Sequence, residues 1–255
     1  MKHILTIALA LLVATTGHAA SRLHVKETTA RLGDSAYRAG NYTEAAAFYE
    51  EVLADGATSA DLHYNLGNTY FRLEQYGLAI LNYERALRLK PGMDDAKENL
   101  ALANSRTTDR ITVLPKLFVV RWYESLRSHV TPGTWRVIWL VIFALLAAST
   151  ALFVTARSIG VRKGTFAAII VTAVLLVLAT LLLLSSTSHF NSHSEAIVMQ
   201  PAISVKSSPE QQSTDKLVLH EGTKVTITES LAGWDRITLA DGTSGWCETA
   251  NIERI

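Results

Sequence analysis

The stretch Leu32-Gly33-Asp34-Ser35-Ala36-Tyr37-Arg38 is answered downstream by Leu66-Gly67-Asn68-Thr69-Tyr70-Phe71-Arg72. The interval is 34 residues, and it is kept again where Ala45 recurs as Ala79 and Tyr49 as Tyr83. A period of this length marks a helix–turn–helix unit that stacks on copies of itself to bury a shared core. Gly67 and Ala79 are small where the two helices of a unit cross closely. Tyr70 and Tyr83 are expected to fill the space between neighbouring units. Pro91 ends the second helix and holds Lys90 extended, so the chain must turn there.

In the second unit, residues 60–93, Leu66, Gly67, Tyr70, Ala79, Tyr83, Ala86 and Pro91 stand where tetratricopeptide (TPR) repeats place their signature residues. The first unit, 26–59, keeps Leu32, Gly33, Ala45, Tyr49 and Val52, and departs at Thr29 and Ala36, where bulky residues are usual. Residues 94–106 continue the register through Leu100 and Ala101 and look like a capping helix, which an array needs to cover its last apolar face. The block as a whole, 20–115, resembles an all-α TPR domain. That resemblance implies a polypeptide ligand and a concave groove lined by the first helix of each unit. Unit position 13 holds Arg38, Arg72 and Arg106; position 6 holds Arg31, Asn65 and Asn99. With Asn68, these forked donors suit carboxylates and extended backbone, so an acidic peptide or a polypeptide C-terminus is the expected partner. In the competing reading each arginine only complements the dipole at a helix C-terminus.

The ends of the repeat block set its surroundings. Residues 1–19 read as a signal peptide: Lys2 and His3, an apolar run over 4–13, then Gly17 and Ala19 ahead of a cleavage point before Ala20. An uncleaved anchor is the alternative. Residues 137–155 and 165–184 are uncharged and near the ~20 residues a spanning helix needs. Two transmembrane helices are predicted at 134–155 and 164–185, joined by a cytoplasmic loop at 156–163 that carries Arg157, Arg162 and Lys163. Lys116, Arg121, Arg127 and Arg136 flank the other side, so charge alone nearly ties, and the signal peptide decides the orientation. Both soluble parts then share the periplasm at a bacterial inner membrane. Before the first span, residues 116–133 set Leu117, Phe118, Trp122, Tyr123 and Leu126 against Arg121, Glu124 and Arg127. This segment reads as a helix in the headgroup layer or as one packed on the repeats. Thr131-Pro132 supplies an N-cap and a first-turn proline for the first span.

After a polar linker at 186–194, expected to be flexible, the period changes to two. Short β-rich runs at 196–198, 224–228 and 236–239 are separated by turns at Gly222, Gly233 and Gly242. Residues 195–255 predict a small all-β barrel. The runs Ser207-Ser208-Pro209 and Leu219-His220-Glu221-Gly222-Thr223-Lys224-Val225, with Trp234, Ile237, Asp241-Gly242 and Gly245-Trp246, resemble a bacterial SH3-like (SH3b) domain. Such domains bind wall peptides or proteins, which leaves Trp234 and Trp246 open as a binding surface or as packing residues. Cys247 departs from the family's branched apolar residue and is expected to pack as a small hydrophobe.

The net charge of +1 with dispersed basic residues leaves no nucleic-acid footprint, and a single cysteine excludes an intramolecular disulfide. No catalytic motif is evident, so neither an enzyme nor a cofactor is expected. His189 and His193 stand four apart without a third ligand and are expected to hold no metal. The order of parts, with Asp94-Asp95-Ala96-Lys97-Glu98-Asn99-Leu100 after the repeats, resembles BatE-type proteins of bacterial aerotolerance operons. That resemblance implies membrane partners with von Willebrand-type A domains and a link to oxidative or envelope stress. A scaffold is the first functional expectation, and a tether holding peptidoglycan through the SH3-like domain is the second.

Overall fold

The computed structural model of the protein describes residues 27–112, 117–118, 120, 122–123, 130–191 and 194–255. The expected signal peptide lies outside them, as do much of the interfacial segment, His193 and the side chain of His189.

Five helices form the repeat block: α1 (27–38), α2 (Tyr42–Ala54), α3 (Ala60–Arg72), α4 (Tyr76–Leu89) and α5 (Asp94–Asn104). The turns inside the two units are built alike. Gly40 takes a φ of 82°, and Glu74, one period on, is held at 61°. Ser59 caps α3 by accepting from the Leu62 N–H at 3.1 Å. Lys90 leaves the helical region, at φ −137° and ψ 82°, short of the fully extended backbone expected before a proline.

Gly33 and Gly67 owe their size to a tyrosine of their own unit. A Cβ on Gly67 would lie 2.8 Å from the Tyr83 ring, and one on Gly33 would lie 2.6 Å from Tyr49. Tyr83 therefore fills space within its unit, where an inter-unit role was expected. Tyr70 does reach the neighbouring unit, donating its hydroxyl to Glu50 on α2. The repeated leucines also diverge. Leu66 is buried, but Leu32 is 49% exposed, because no described residue packs ahead of α1.

Two apolar helices follow, α6 (Pro132–Thr155) and α7 (Ile159–Asn191). Thr131 caps α6, with its Oγ1 accepting from the Thr134 N–H at 3.3 Å. The helices pair as a hairpin. Trp139 Nε1 donates across it to Thr180 Oγ1 at 2.9 Å, and the Phe153 and Phe166 rings meet near its turn at 6.1 Å. Two boundaries differ from the pattern-based ones. The connection is only residues 156–158, since Arg162 and Lys163 continue as helix, with Arg162 lying over the Phe153 ring. At the far end, α7 continues to Asn191, into the stretch at 186–194 expected to be a flexible linker. Polar residues end an apolar pattern without ending a helix whose backbone bonds remain internal.

Seven strands complete the fold: β1 (Glu195–Val198), β2 (Ala202–Lys206), β3 (Asp215–His220), β4 (Lys224–Leu231), β5 (Trp234–Thr238), β6 (Ser244–Glu248) and β7 (Ile252–Arg254). They form one antiparallel sheet in the order β3-β2-β6-β5-β4-β1-β7. Ala232 and Gly233 both have positive φ, as a two-residue hairpin turn between β4 and β5 requires. Alternate residues from every strand, among them Val198, Val205, Leu219, Val225, Ile237, Cys247 and Ile252, share one buried cluster. The sheet therefore wraps around its own core, helped by irregularities after Val205 and Ile227.

The β domain does not swing free. It is docked on α4, along the stripe Gly77, Ile80, Glu84 and Arg88. Ile197 and Ile255 are buried in the apolar cluster of the helices, with Met199 packed beside them. A polar ring surrounds that patch. Gly77 N donates to Glu221 Oε1 at 3.1 Å, and Lys224 Nζ bridges Glu84 at 3.0 Å and Glu195 at 3.1 Å. Arg85 reaches Glu253 at 2.8 Å and the main-chain oxygen of Arg254 at 2.7 Å. Arg88 donates to the main-chain oxygen of Ile255 at 2.6 Å. These arginines cover the edge strand β7, whose carbonyls would otherwise be open to pairing. Past α5, Asp109 accepts from His220 N at 2.7 Å and Thr223 Oγ1 at 2.6 Å, with His220 Nδ1 2.7 Å away.

Candidate functional site

With α4 covered by the β domain, the face formed by α1, α3 and α5 is left open. The seven residues expected to line it behave in three ways. Asn65, Asn68 and Asn99 are committed to a hydrogen-bond ladder with the period of the sequence. Tyr49 donates to Asp34 Oδ1 at 2.7 Å, and Asn65 of the next unit donates to the same oxygen at 3.3 Å. One period on, Tyr83 donates to Asn68 Oδ1 at 2.8 Å, and Asn99 donates there too, at 2.8 Å. Each rung ties the two helices of one unit to the first helix of the next. These asparagines hold the array together, which limits what they can offer a ligand.

The arginines divide. Arg31 is exposed and pairs with Glu27 at 2.7 Å, one turn earlier on α1. Arg72 lies over the Tyr42 ring and against Tyr37, at the end of α3, where a cation also suits the dipole. Arg106 is exposed just beyond α5. Arg38 lines a defined recess, a cleft of about 160 Å³ shared with Asp34, Tyr37, Tyr49, Asn65 and Asn68. That cleft offers one cation beside a carboxylate and a rim of hydroxyl and amide groups. It suits a polar side chain or a polypeptide end more than a long acidic run.

Sequence reasoning missed Asp34, although its place directly after the repeated glycine, matched by Asn68, was the available signal. It also missed a buried pair without a repeat counterpart. His63 Nδ1 lies 3.0 Å from Asn82 Oδ1, and its Nε2 lies 3.2 Å from Thr58 Oγ1. Burial holds the His63 pKa below the ordinary histidine value, so its imidazole is neutral near pH 7.

On the β domain, Trp234 and Trp246 are half-buried and stand outside the core. They lie on the outer surface of β5 and β6, where Trp246 is opposite Arg236 and Trp234 is opposite Glu248. Cys247 faces inward and is fully buried. Burial, with Asp235 and Glu248 nearby, pushes its thiol pKa up to about 12, so it packs as the small hydrophobe expected.

The tetratricopeptide repeat family is matched by residues 30–94 and, overlapping them, by 64–105. That span covers both glycine–tyrosine contacts and the whole ladder. The α1–α5 block is thus similar to a family of helical repeats whose open faces bind other polypeptides. Among curated proteins, none matches this sequence.

Proposed function

We propose that the protein is a membrane-anchored scaffold that gathers partner proteins at the open face of its repeats. The observation that carries this reading is the docking of the repeats on the β domain, with the α6–α7 hairpin between them in sequence. Two parts that touch must lie on one side of any bilayer that the hairpin crosses. Both helices are long and apolar enough to cross, and their apolar stretches are almost entirely uncovered by the rest of the protein. A core helix of a soluble protein would be covered; these present apolar side chains outward, as lipid contact requires.

The finer reading places this head in the periplasm of a bacterial inner membrane, as in BatE-type proteins. Its partners are then membrane proteins with von Willebrand-type A domains, acting under oxidative or envelope stress. Its β domain is read as SH3-like. Cross-linked capture from intact membranes tests the scaffold, comparing wild type with Arg38→Glu and with Arg38→Glu/Arg72→Glu/Arg106→Glu. Loss of a reproducible set of membrane partners, with folding and insertion intact, supports the open face as the working surface. Retention of the same partners refutes it.

A second reading, a wall tether, has its own support in the outward placement of Trp234 and Trp246. Binding of purified muropeptides by the full-length protein, lost in Trp234→Ala/Trp246→Ala, would favour the tether over the scaffold.

A further inference from the structure

The contact between the β domain and α4 has the make-up of a latch. Its apolar centre is small, consisting of Ile197, Met199 and Ile255 from the β domain against Ile80 and its neighbours. Its periphery is almost wholly charged: Glu84, Arg85 and Arg88 on α4, Glu221, Lys224 and Glu253 on the β domain, and Asp109 from the segment after α5. Contacts of this kind between domains of one polypeptide resemble transient interfaces, for which relative motion is the default. Each domain also has bonds and a core of its own, the ladder in the repeats and the strand cluster in the β domain.

What the latch holds is set by where the polypeptide goes next. α7 has 33 residues, so at about 1.5 Å per residue it reaches roughly 50 Å, against about 30 Å of hydrocarbon. With Arg162 and Lys163 at its other end, residues 186–191 project beyond a bilayer as a stalk of about 9 Å. The stalk is braced near its exit, where Tyr123 donates to Ser185 Oγ at 2.6 Å and Ser186 is buried. Only three residues separate the end of α7 from β1, and Glu195, the first residue of β1, is bound to Lys224, which is bound to Glu84. Burial opposes the charge on Lys224, but Glu84 and Glu195 outweigh it and raise its pKa. The membrane helix is thus joined to the middle of the interface by a connection of only three residues.

We infer that docking of the β domain on α4 is a conformational latch that ties the position of α7 in the membrane to the repeat block. Closed, it fixes the stalk against the repeats. Open, it leaves α7 free to tilt or turn relative to them. A partner that grips the hairpin and a partner that binds the repeats then influence one another through a single two-state contact.

Spin-label distances on the full-length protein in lipid nanodiscs test this. In a Cys247→Ala background, one label pair at Thr43→Cys and Gln212→Cys reports the repeats against the β domain. A second pair at Thr43→Cys and Ser188→Cys reports the repeats against the stalk; all three positions are exposed. Wild type is expected to give one narrow distribution for each pair. Glu84→Lys/Arg85→Glu reverses two latch charges and is expected to broaden both distributions together. Gly77→Ala is a milder opener that also favours α4 as a helix: its Cβ would lie 2.6 Å from Glu221 Cγ, so that side chain must move. It is expected to act in the same direction. If the first distribution broadens while the second stays narrow, α7 is not coupled to the latch and the inference is wrong. If neither variant changes the first, the contact is a fixed interface and there is no latch.

Discussion

Replacing Gly67 with alanine separates two opposite expectations for a glycine inside a helix. Removing glycine from an open helical position stabilises by about 0.8–1 kcal/mol. Here the new Cβ would lie 2.8 Å from both Cδ1 and Cε1 of Tyr83 and 3.3 Å from the Ala79 carbonyl oxygen. Tyr83 is 1% exposed, so its ring has no room to retreat. Overpacking of this kind costs about 1–3 kcal/mol. Displacing the ring also strains the 2.8 Å hydroxyl bond to Asn68, worth about 0.5–1.5 kcal/mol. The balance is a net loss of about 0.5–3.5 kcal/mol once the helix gain is subtracted. The assay is hydrogen exchange of the α3 and α4 amides in the full-length protein, where that loss appears as roughly twofold to several-hundredfold faster exchange. In a Tyr83→Leu background the clash is gone, and the same alanine should become neutral or favourable. Unchanged or slower exchange in Gly67→Ala alone would refute the packing argument, and with it the reason given for the repeated glycine.

Glu74→Gly should stabilise the repeats by about 0.5–1 kcal/mol, because Glu74 is held at a φ of 61° where the first unit has Gly40; a lower unfolding midpoint would contradict this. Cys247 should react with a soluble thiol reagent at pH 8 only as fast as the β domain opens, since burial pushes its pKa up to about 12; prompt stoichiometric labelling of the native protein would overturn that. Asp109 is penalised by burial, but its bonds to Thr223 and His220 outweigh this and lower its pKa. Such a carboxylate adds stability above its unfolded pKa, near 4, and loses it as pH falls through the lower folded value. The stabilising difference in β-domain docking between wild type and Asp109→Asn should therefore persist from pH 7 down to about 4 and shrink in stronger acid. A difference that instead fades between pH 7 and 5 would locate the effect elsewhere.

Much of this protein is legible without coordinates, for local reasons. A 34-residue period recurs in spacing alone, so the units and the end of α4 before Lys90 follow from residue identity, whereas the tyrosine that packs on each repeated glycine was placed by the structure. The uncharged runs announce α6 and α7, and alternation with glycine turns announces the strands. Residue types likewise pointed to one face of α1, α3 and α5, but not to the use made of it. Asn65 and Asn99 looked like ligand donors, whereas geometry gives their amides to Asp34 and Asn68, because a side-chain amide within 3.3 Å of an acceptor on the previous unit bonds there. Only the tertiary structure decided how the parts meet. Nothing near Glu84 in sequence announces Lys224, nor anything near Arg88 the oxygen of Ile255; each pair is separated by more than 100 residues and obeys no period. Periodicity records which face of an element is buried, while the identity of what covers it is a long-range fact. For this protein, that fact turns a string of independent modules into one head joined to its membrane helices.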